Sequence, residues 1–281
     1  MLVNSNYLFK EAQQHKFAIP AANFIDIDSA RVFTQTAEKE NKPLILAFAQ
    51  SHSHIISLEE AALVGKFFSE KLTVPIVLHL DHGEDFDFIK KAIDFGFTSV
   101  MIDASQESFE DNISITKKVV DYAHQFNVSV EAELGHVGSN DLSESNSLTE
   151  SVYTEVSDVL EFIKKTSVDS LAISIGTAHG VYKGTPHINF DRLKDIKQKT
   201  NTPLVLHGGS SSGDENLSKC AQLGISKINI YTDFLNGAMN AIEESTYDNY
   251  IGLKNLANKG MEQVLTHYYK VFKTQEVRKE V

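Results

Sequence analysis

Short apolar runs alternate along the chain with longer segments in which apolar residues recur every three or four positions. The runs occupy residues 17–23, 43–49, 74–81, 97–103, 127–133, 168–176, 202–208 and 224–230. Their near-continuous Val, Ile and Leu content suits strands buried on both faces. Segments such as 58–71 and 113–125 carry the helical spacing of an amphipathic face. Eight strand–helix units in series predict an α/β fold of one kind, a closed parallel (β/α)8 TIM barrel. After the eighth run the pattern is helical to about residue 273, so additional C-terminal helices are expected. The tail beyond is polar and is expected to fray.

The widest gap follows the fifth run. Residues 135–153 are rich in Ser, Asn and acidic side chains and read as a long mobile active-site loop. No linker or low-complexity block divides the chain, so residues 1–281 are expected to form a single barrel domain. The 281 residues, 42% hydrophobic, suit that size.

Charge and composition narrow the partners. The formal net charge of −12 repels phosphate backbones and disfavours nucleic acid. No run of about 18 apolar residues exists to enter a membrane. The N-terminal segment lacks a basic start followed by a long apolar run, so no secretory signal is expected. A lone cysteine, Cys220, excludes an internal disulfide. The expected compartment is the cytoplasm, and the expected partner a small molecule.

Barrels of this type place chemistry at the C-terminal ends of their strands. Those positions here hold Asn23, Gln50, Ser51, Asp81, His82, Asp103, Glu133, His179, His207 and Asn229. His82, His179 and His207 end the third, sixth and seventh units. Three imidazoles leave a coordination position open on Zn2+, as a catalytic site requires. Any one of them alone reads more simply as a satisfied core or loop histidine. Asp81, beside His82, can move a proton or orient an imidazole. Asp103 and Glu133 face the same mouth, as a second metal position or as partners for lysines. Asn23 is a candidate substrate contact, and His79 is expected to point inward below Asp81. His52, His54 and His136 lie near the mouth, whereas His15, His124, His187 and His267 read as surface residues.

Two segments suit phosphate: His207-Gly208-Gly209-Ser210 after the seventh run, and Asn229-Ile230-Tyr231-Thr232 leading into a helix. Backbone N–H groups of a glycine loop and a helix N-terminus bind phosphate without a cationic side chain.

At these residues the chain resembles the class II, zinc-dependent fructose-/tagatose-bisphosphate aldolases. The segments that carry the likeness are PAANF (20–24), HLDHG (79–83), SVMIDAS (99–105), VEAELGHVG (130–138), GTAHGVYKG (176–184), LVLHGGS (204–210) and KINIYTD (227–233). They span almost the whole barrel. The resemblance implies His82, His179 and His207 as zinc ligands and Asp81 as the proton-transferring acid. It implies Gly180, Gly208, Gly209, Ser210, Asn229, Ile230, Tyr231 and Thr232 around the phosphate of dihydroxyacetone phosphate. Near it, relatives often hold a monovalent cation, Na+ or K+. Asp103 and Glu133 match positions that hold a displaced or second metal. The family suggests homodimers or homotetramers, and fructose or tagatose 1,6-bisphosphate as substrate.

Three departures stand out. The lid glutamate that protonates the enediolate in relatives aligns near Asp141. Ala49 stands where relatives offer Ser or Thr. The chain has only three arginines, Arg31, Arg192 and Arg278, and none in the 246–255 segment where relatives bind a second phosphate. A ketose 1-phosphate is therefore an alternative substrate. A zinc-dependent barrel hydrolase and a non-enzymatic sugar-phosphate binder are the competing classes.

Overall fold

The computed structural model describes residues 1–139, 152–180 and 186–277. Among the described residues, ten strands run in chain order: β1 (Ile19–Asn23), β2 (Leu44–Ala49), β3 (Ile76–Gly83), β4 (Ser99–Ile102), β5 (Ser129–Leu134), β6 (Gly138–Ser139), β7 (Ser170–Ile173), β8 (Ala178–His179), β9 (Leu204–Leu206) and β10 (Ile225–Ile230). Eight of them close into a parallel barrel in the order β1-β10-β9-β7-β5-β4-β3-β2. The two short strands β6 and β8 pair with each other outside it. Each of the eight apolar runs thus marks a barrel strand, with β3 and β5 extending past their runs to Gly83 and Leu134. The sixth and seventh strands are shorter than their runs.

The helices are α1 (Ser5–His15), α2 (Ile27–Glu40), α3 (Leu58–Ser69), α4 (Phe86–Phe95), α5 (Phe109–Ala123), α6 (Val159–Thr166), α7 (Phe190–Lys199), α8 (Asp214–Gln222), α9 (Thr232–Glu243) and α10 (Tyr250–Val271). Their starts follow side-chain chemistry. Asp26 and Ser57 form capping boxes with Ser29 and Glu60, and Asp85 and Ser108 cap α4 and α5. The expected C-terminal helices are α9 and α10, which pack closely where a Cβ on Gly260 would lie 2.1 Å from the Gly237 carbonyl. None of the described helices is long and apolar enough to cross a membrane.

Alternation divides each strand between two environments. Leu78 and Leu80, Val130 and Ala132, and Ile228 and Ile230 join the large apolar core between barrel and helices. Their neighbours His79 and Asp81, Glu131 and Glu133, and Lys227 and Asn229 are buried polar residues. One end of the interior is apolar: Leu8, Phe9 and Ala12 of α1 cluster with Phe17, Ile19, Ala21, Ile45, Val77 and Val277.

That cluster corrects the expectation for the tail. Thr274 and Val277 are buried, and the Thr274 hydroxyl donates to the Ala18 carbonyl at 2.7 Å. A polar stretch is held because one hydroxyl and one valine dock under the barrel. The ends of the 135–153 segment are also regular. His136 and Val152 exchange backbone hydrogen bonds at 2.7 Å, and Gly138 and Ser139 pair with Ala178 and His179.

Because α1 plugs the end away from the polar residues, Phe9→Ala should destabilise the protein by about 3–5 kcal/mol, as deletion of a buried ring does. Thermal unfolding should show the loss while metal content stays unchanged. A variant with an unshifted unfolding midpoint would mean that the plug contributes little.

Candidate metal and active site

Sequence neighbours on a strand point to opposite faces, yet Asp81 and His82 both enter the barrel mouth. A local irregularity makes this possible. The β3–β4 register shifts between Leu80 and Gly83, and His82 adopts a left-handed φ of 45°. Bulges re-aim side chains in this way. Gly83 completes the turn, since a Cβ there would lie 2.4 Å from the Met101 carbonyl oxygen.

His179 arrives differently. It lies beyond the end of β7 rather than on it, in the two-residue strand β8, and Gly180 follows with φ 85°. His207 immediately follows β9. The three rings meet: ligand atoms of His82, His179 and His207 lie within 4.8 Å of one another. Those of His82, Asp103 and Glu133 meet the same limit, so both groups picked from sequence are brought together.

The imidazoles are oriented from behind. His82 donates through Nδ1 to Asp103 at 2.9 Å, and His207 through Nε2 to Glu131 at 2.9 Å. Their other nitrogens, His82 Nε2 and His207 Nδ1, face each other at 2.9 Å. Asp81 is held by two amides, from Asn23 at 2.8 Å and Asn229 at 2.9 Å. Below it, Lys227 donates to both Glu131 oxygens at 2.8 Å and to His79 Nε2 at 3.1 Å. His79 then donates from Nδ1 to Ser99 at 2.9 Å.

The charges are coupled. Burial disfavours the charged form of His82, but Asp81, Asp103 and Glu133 outweigh it and raise its pKa to about 10. Burial also opposes ionisation of Asp81, which His82 and Lys227 overcome, holding it well below the carboxylate range. Burial and then Lys227 depress His79 to about 3, so it is neutral. Against its own burial, Glu131 is lowered to about 2, chiefly by Lys227. Glu133 goes the other way: burial, then the Asp103 charge, push it up to about 8. Its Oε1 accepts from Val137 N at 2.7 Å, while Oε2 has no hydrogen-bond partner among the described residues.

The two glycine-bearing loops knit together beside this group. Gly208 has φ 65°, and a Cβ there would meet the Ala178 carbonyl at 2.4 Å. Gly209 N donates to Asn229 O at 3.1 Å. The Ser210 hydroxyl accepts from Tyr231 N at 3.1 Å and Asp233 N at 3.3 Å, at the start of α9. Ile230 is buried at the end of β10, and Thr232 opens α9. Asp141 lies outside the described residues.

The remaining histidines divide as follows. His52 is buried against Tyr231, ring centroids 4.6 Å apart, and His54 is exposed and held by the Ser51 carbonyl. His136 is bonded to Ser105 at 2.9 Å. His15, His124 and His267 pair with Glu11, Asp169 and Asp214 at the surface. Sequence reasoning assigned no role to Glu131 or Lys227. The available signal was a charged residue inside an otherwise apolar run, in phase with Glu133 or Asn229.

Beside His82 and His179 opens a cavity of about 340 Å³, bordered by Glu84, Asp103, Gln106, Glu107 and His136, with no lysine or arginine among its described lining residues.

Comparison with known proteins gives this site its setting. The sequence profile described as fructose-bisphosphate aldolase class-II matches residues 3–277. The chain is 34% identical over 272 residues to the protein YdjI of Escherichia coli strain K12, covering 97% of this chain and 98% of YdjI. The crystal structure of YdjI, described as an aldolase, superposes with a TM-score of 0.88 at 32% identity, covering 98% of each chain. A Coccidioides immitis structure, provisionally described as a fructose-1,6-bisphosphate aldolase, gives 0.88 at 25% identity over 96% of each chain. A Campylobacter jejuni fructose-bisphosphate aldolase shares the fold, with a TM-score of 0.77 at 23% identity, covering 98% of this chain and 96% of that one. The family match and the likeness to YdjI favour the aldolase over the barrel-hydrolase reading. By its match along nearly the whole length, the chain belongs to the class II fructose-bisphosphate aldolase family and is an aldolase, a carbon–carbon lyase.

Proposed function

We propose that the protein reversibly cleaves a phosphorylated ketose into dihydroxyacetone phosphate and an aldehyde, with zinc held by His82, His179 and His207. The observation that carries this reading is the convergence of three imidazoles on one point beside Asp81 and the Gly208–Gly209 loop. The donors fit a divalent cation. His82 and His207 each give one nitrogen to a carboxylate, so neutral rings would turn two lone pairs toward each other at 2.9 Å. A cation between them removes that conflict, as the extra proton on His82 does otherwise. Imidazole suits zinc, and three such ligands leave a position open.

Zinc bound there supplies a Lewis acid for the negative charge that develops on the dihydroxyacetone phosphate half. Asp81 accepts the C4 hydroxyl proton of the ketose. The C4–O electrons form the aldehyde carbonyl, the C3–C4 bond breaks, and its electron pair remains with C3. Protonation of that carbon completes release. Asp81 suits the base role because its two amide donors, Asn23 and Asn229, favour the ionised form and fix its direction. Asp141 is the candidate for returning a proton to C3. Gly180, Gly208, Gly209, Ser210 and the Asn229–Thr232 stretch are the candidate phosphate cradle, with Na+ or K+ beside it. Asp103 and Glu133 offer a second position to the metal, together with His82. An assembly of two or four chains belongs to the same reading.

Fructose and tagatose 1,6-bisphosphates and ketose 1-phosphates all fit the class. The described cavity lining offers no lysine or arginine to a second phosphate, so a bisphosphate should be only modestly preferred over a 1-phosphate.

Three outcomes follow from this site. His179→Ala should lose bound zinc, because two imidazoles hold it poorly. Full zinc occupancy by elemental analysis of that variant would remove His179 from the ligand set. Asp81→Asn should keep metal and fold while turnover falls about 10²–10⁴-fold. Near-normal turnover would leave Asp81 only an orienting role. Finally, kcat/KM for fructose or tagatose 1,6-bisphosphate should exceed that for the matching 1-phosphate by less than about 150-fold, the worth of one charge-assisted contact. A ratio above ~10⁴ would reveal a strong second-phosphate site.

A further inference from the structure

Inside the barrel, beneath the three histidines, lies an ion pair that the reaction does not touch. Lys227 and Glu131 are each 1% exposed. Lys227 spends all three of its donors locally, on Glu131 Oε1, Glu131 Oε2 and His79 Nε2. Glu131 Oε1 also takes the His207 Nε2 proton at 2.9 Å. A buried pair of this kind is weak evidence for stability, because desolvation offsets much of its attraction. Its cost calls for another role.

We propose that Glu131 and Lys227 are positioning residues that set His207 in one tautomer, with Nε2 protonated and Nδ1 presented to the metal. The inference rests on the assignment of His207 as a ligand. The geometry allows one arrangement of protons. An ionised carboxylate only accepts, so the His207 nitrogen facing Glu131 must carry the hydrogen. His207 Nδ1 is then the lone-pair nitrogen, and it is the one that faces His82 Nε2. Lys227 has the complementary task. It neutralises Glu131, so that this carboxylate does not draw a metal down from the mouth, and it fixes the carboxylate plane through two equal contacts. His79 completes the support: neutral, it accepts from Lys227 and donates to Ser99. Metal-bound histidines are commonly oriented by a carboxylate on their second nitrogen. Here that carboxylate is itself clamped by a buried lysine of β10, three strands away around the barrel.

The test uses the full-length protein, with Zn2+ affinity read by chelator competition. A double variant, Glu131→Leu with Lys227→Met, removes both charges and fills the space, so its metal-free form should unfold at a temperature near wild type. Its Zn2+ dissociation constant should nevertheless rise about 10–100-fold. Glu131→Gln with Lys227→Met retains an acceptor for His207 and should recover most of the loss. A folded Leu/Met variant binding Zn2+ within about twofold of wild type would overturn the positioning role. Should that variant not fold, nitrogen NMR of histidine-labelled wild type decides: His207 should carry its proton on Nε2, and a proton on Nδ1 alone would overturn the proposal. If His207→Ala binds Zn2+ as tightly as wild type, the ligand assignment itself fails, a result distinct from loss of the positioning effect.

Discussion

Closure of eight parallel strands turns every second residue of each strand toward one axis, and the site depends on that constraint. In this interior the inward positions near the mouth are polar. Asn23, Asp81, Glu133, His207 and Asn229 come from five different strands or their ends, yet share one small volume. Such groups are tolerated without water only if they pair. The network does so in layers: amides on Asp81, carboxylates on His82 and His207, a lysine on Glu131, and a serine below His79.

Regular strands alone would not assemble the site. Asp81 and His82 are adjacent, so a regular β3 would send one of them outward. The register shift at Gly83 and the left-handed φ at His82 bring both inside. His179 lies past its barrel strand and is carried to the mouth by β8, which pairs with β6. Gly208 lets the loop after β9 pass against Ala178, next to His179. The least regular backbone therefore lies where the imidazoles converge, as expected where function overrides local geometry.

Much of this was legible in the sequence because both signals are periodic. Buried parallel strands are continuous apolar runs, and each of the eight runs marks a barrel strand. The histidines at 82, 179 and 207 stood out because polar residues gather where those runs end. What periodicity could not convey was partnership. Glu131 and Lys227 belong to runs far apart in sequence and meet only through closure. The α1 plug is hidden in the sequence because its segment is mostly polar, with Leu8, Phe9 and Ala12 as its buried apolar face. The tail reads as solvent-bound because its composition is polar, whereas Thr274 and Val277 dock beneath the barrel. Asp141 lies outside the described residues, so its role rests on resemblance alone.

Anomalous diffraction from crystals of the zinc-loaded protein, recorded on both sides of the zinc absorption edge, tests the central assignment most directly. The account predicts an edge-dependent peak bonded to nitrogens of His82, His179 and His207, with His207 contributing Nδ1. A peak elsewhere in the molecule, or none at the barrel mouth in a zinc-loaded crystal, would contradict it.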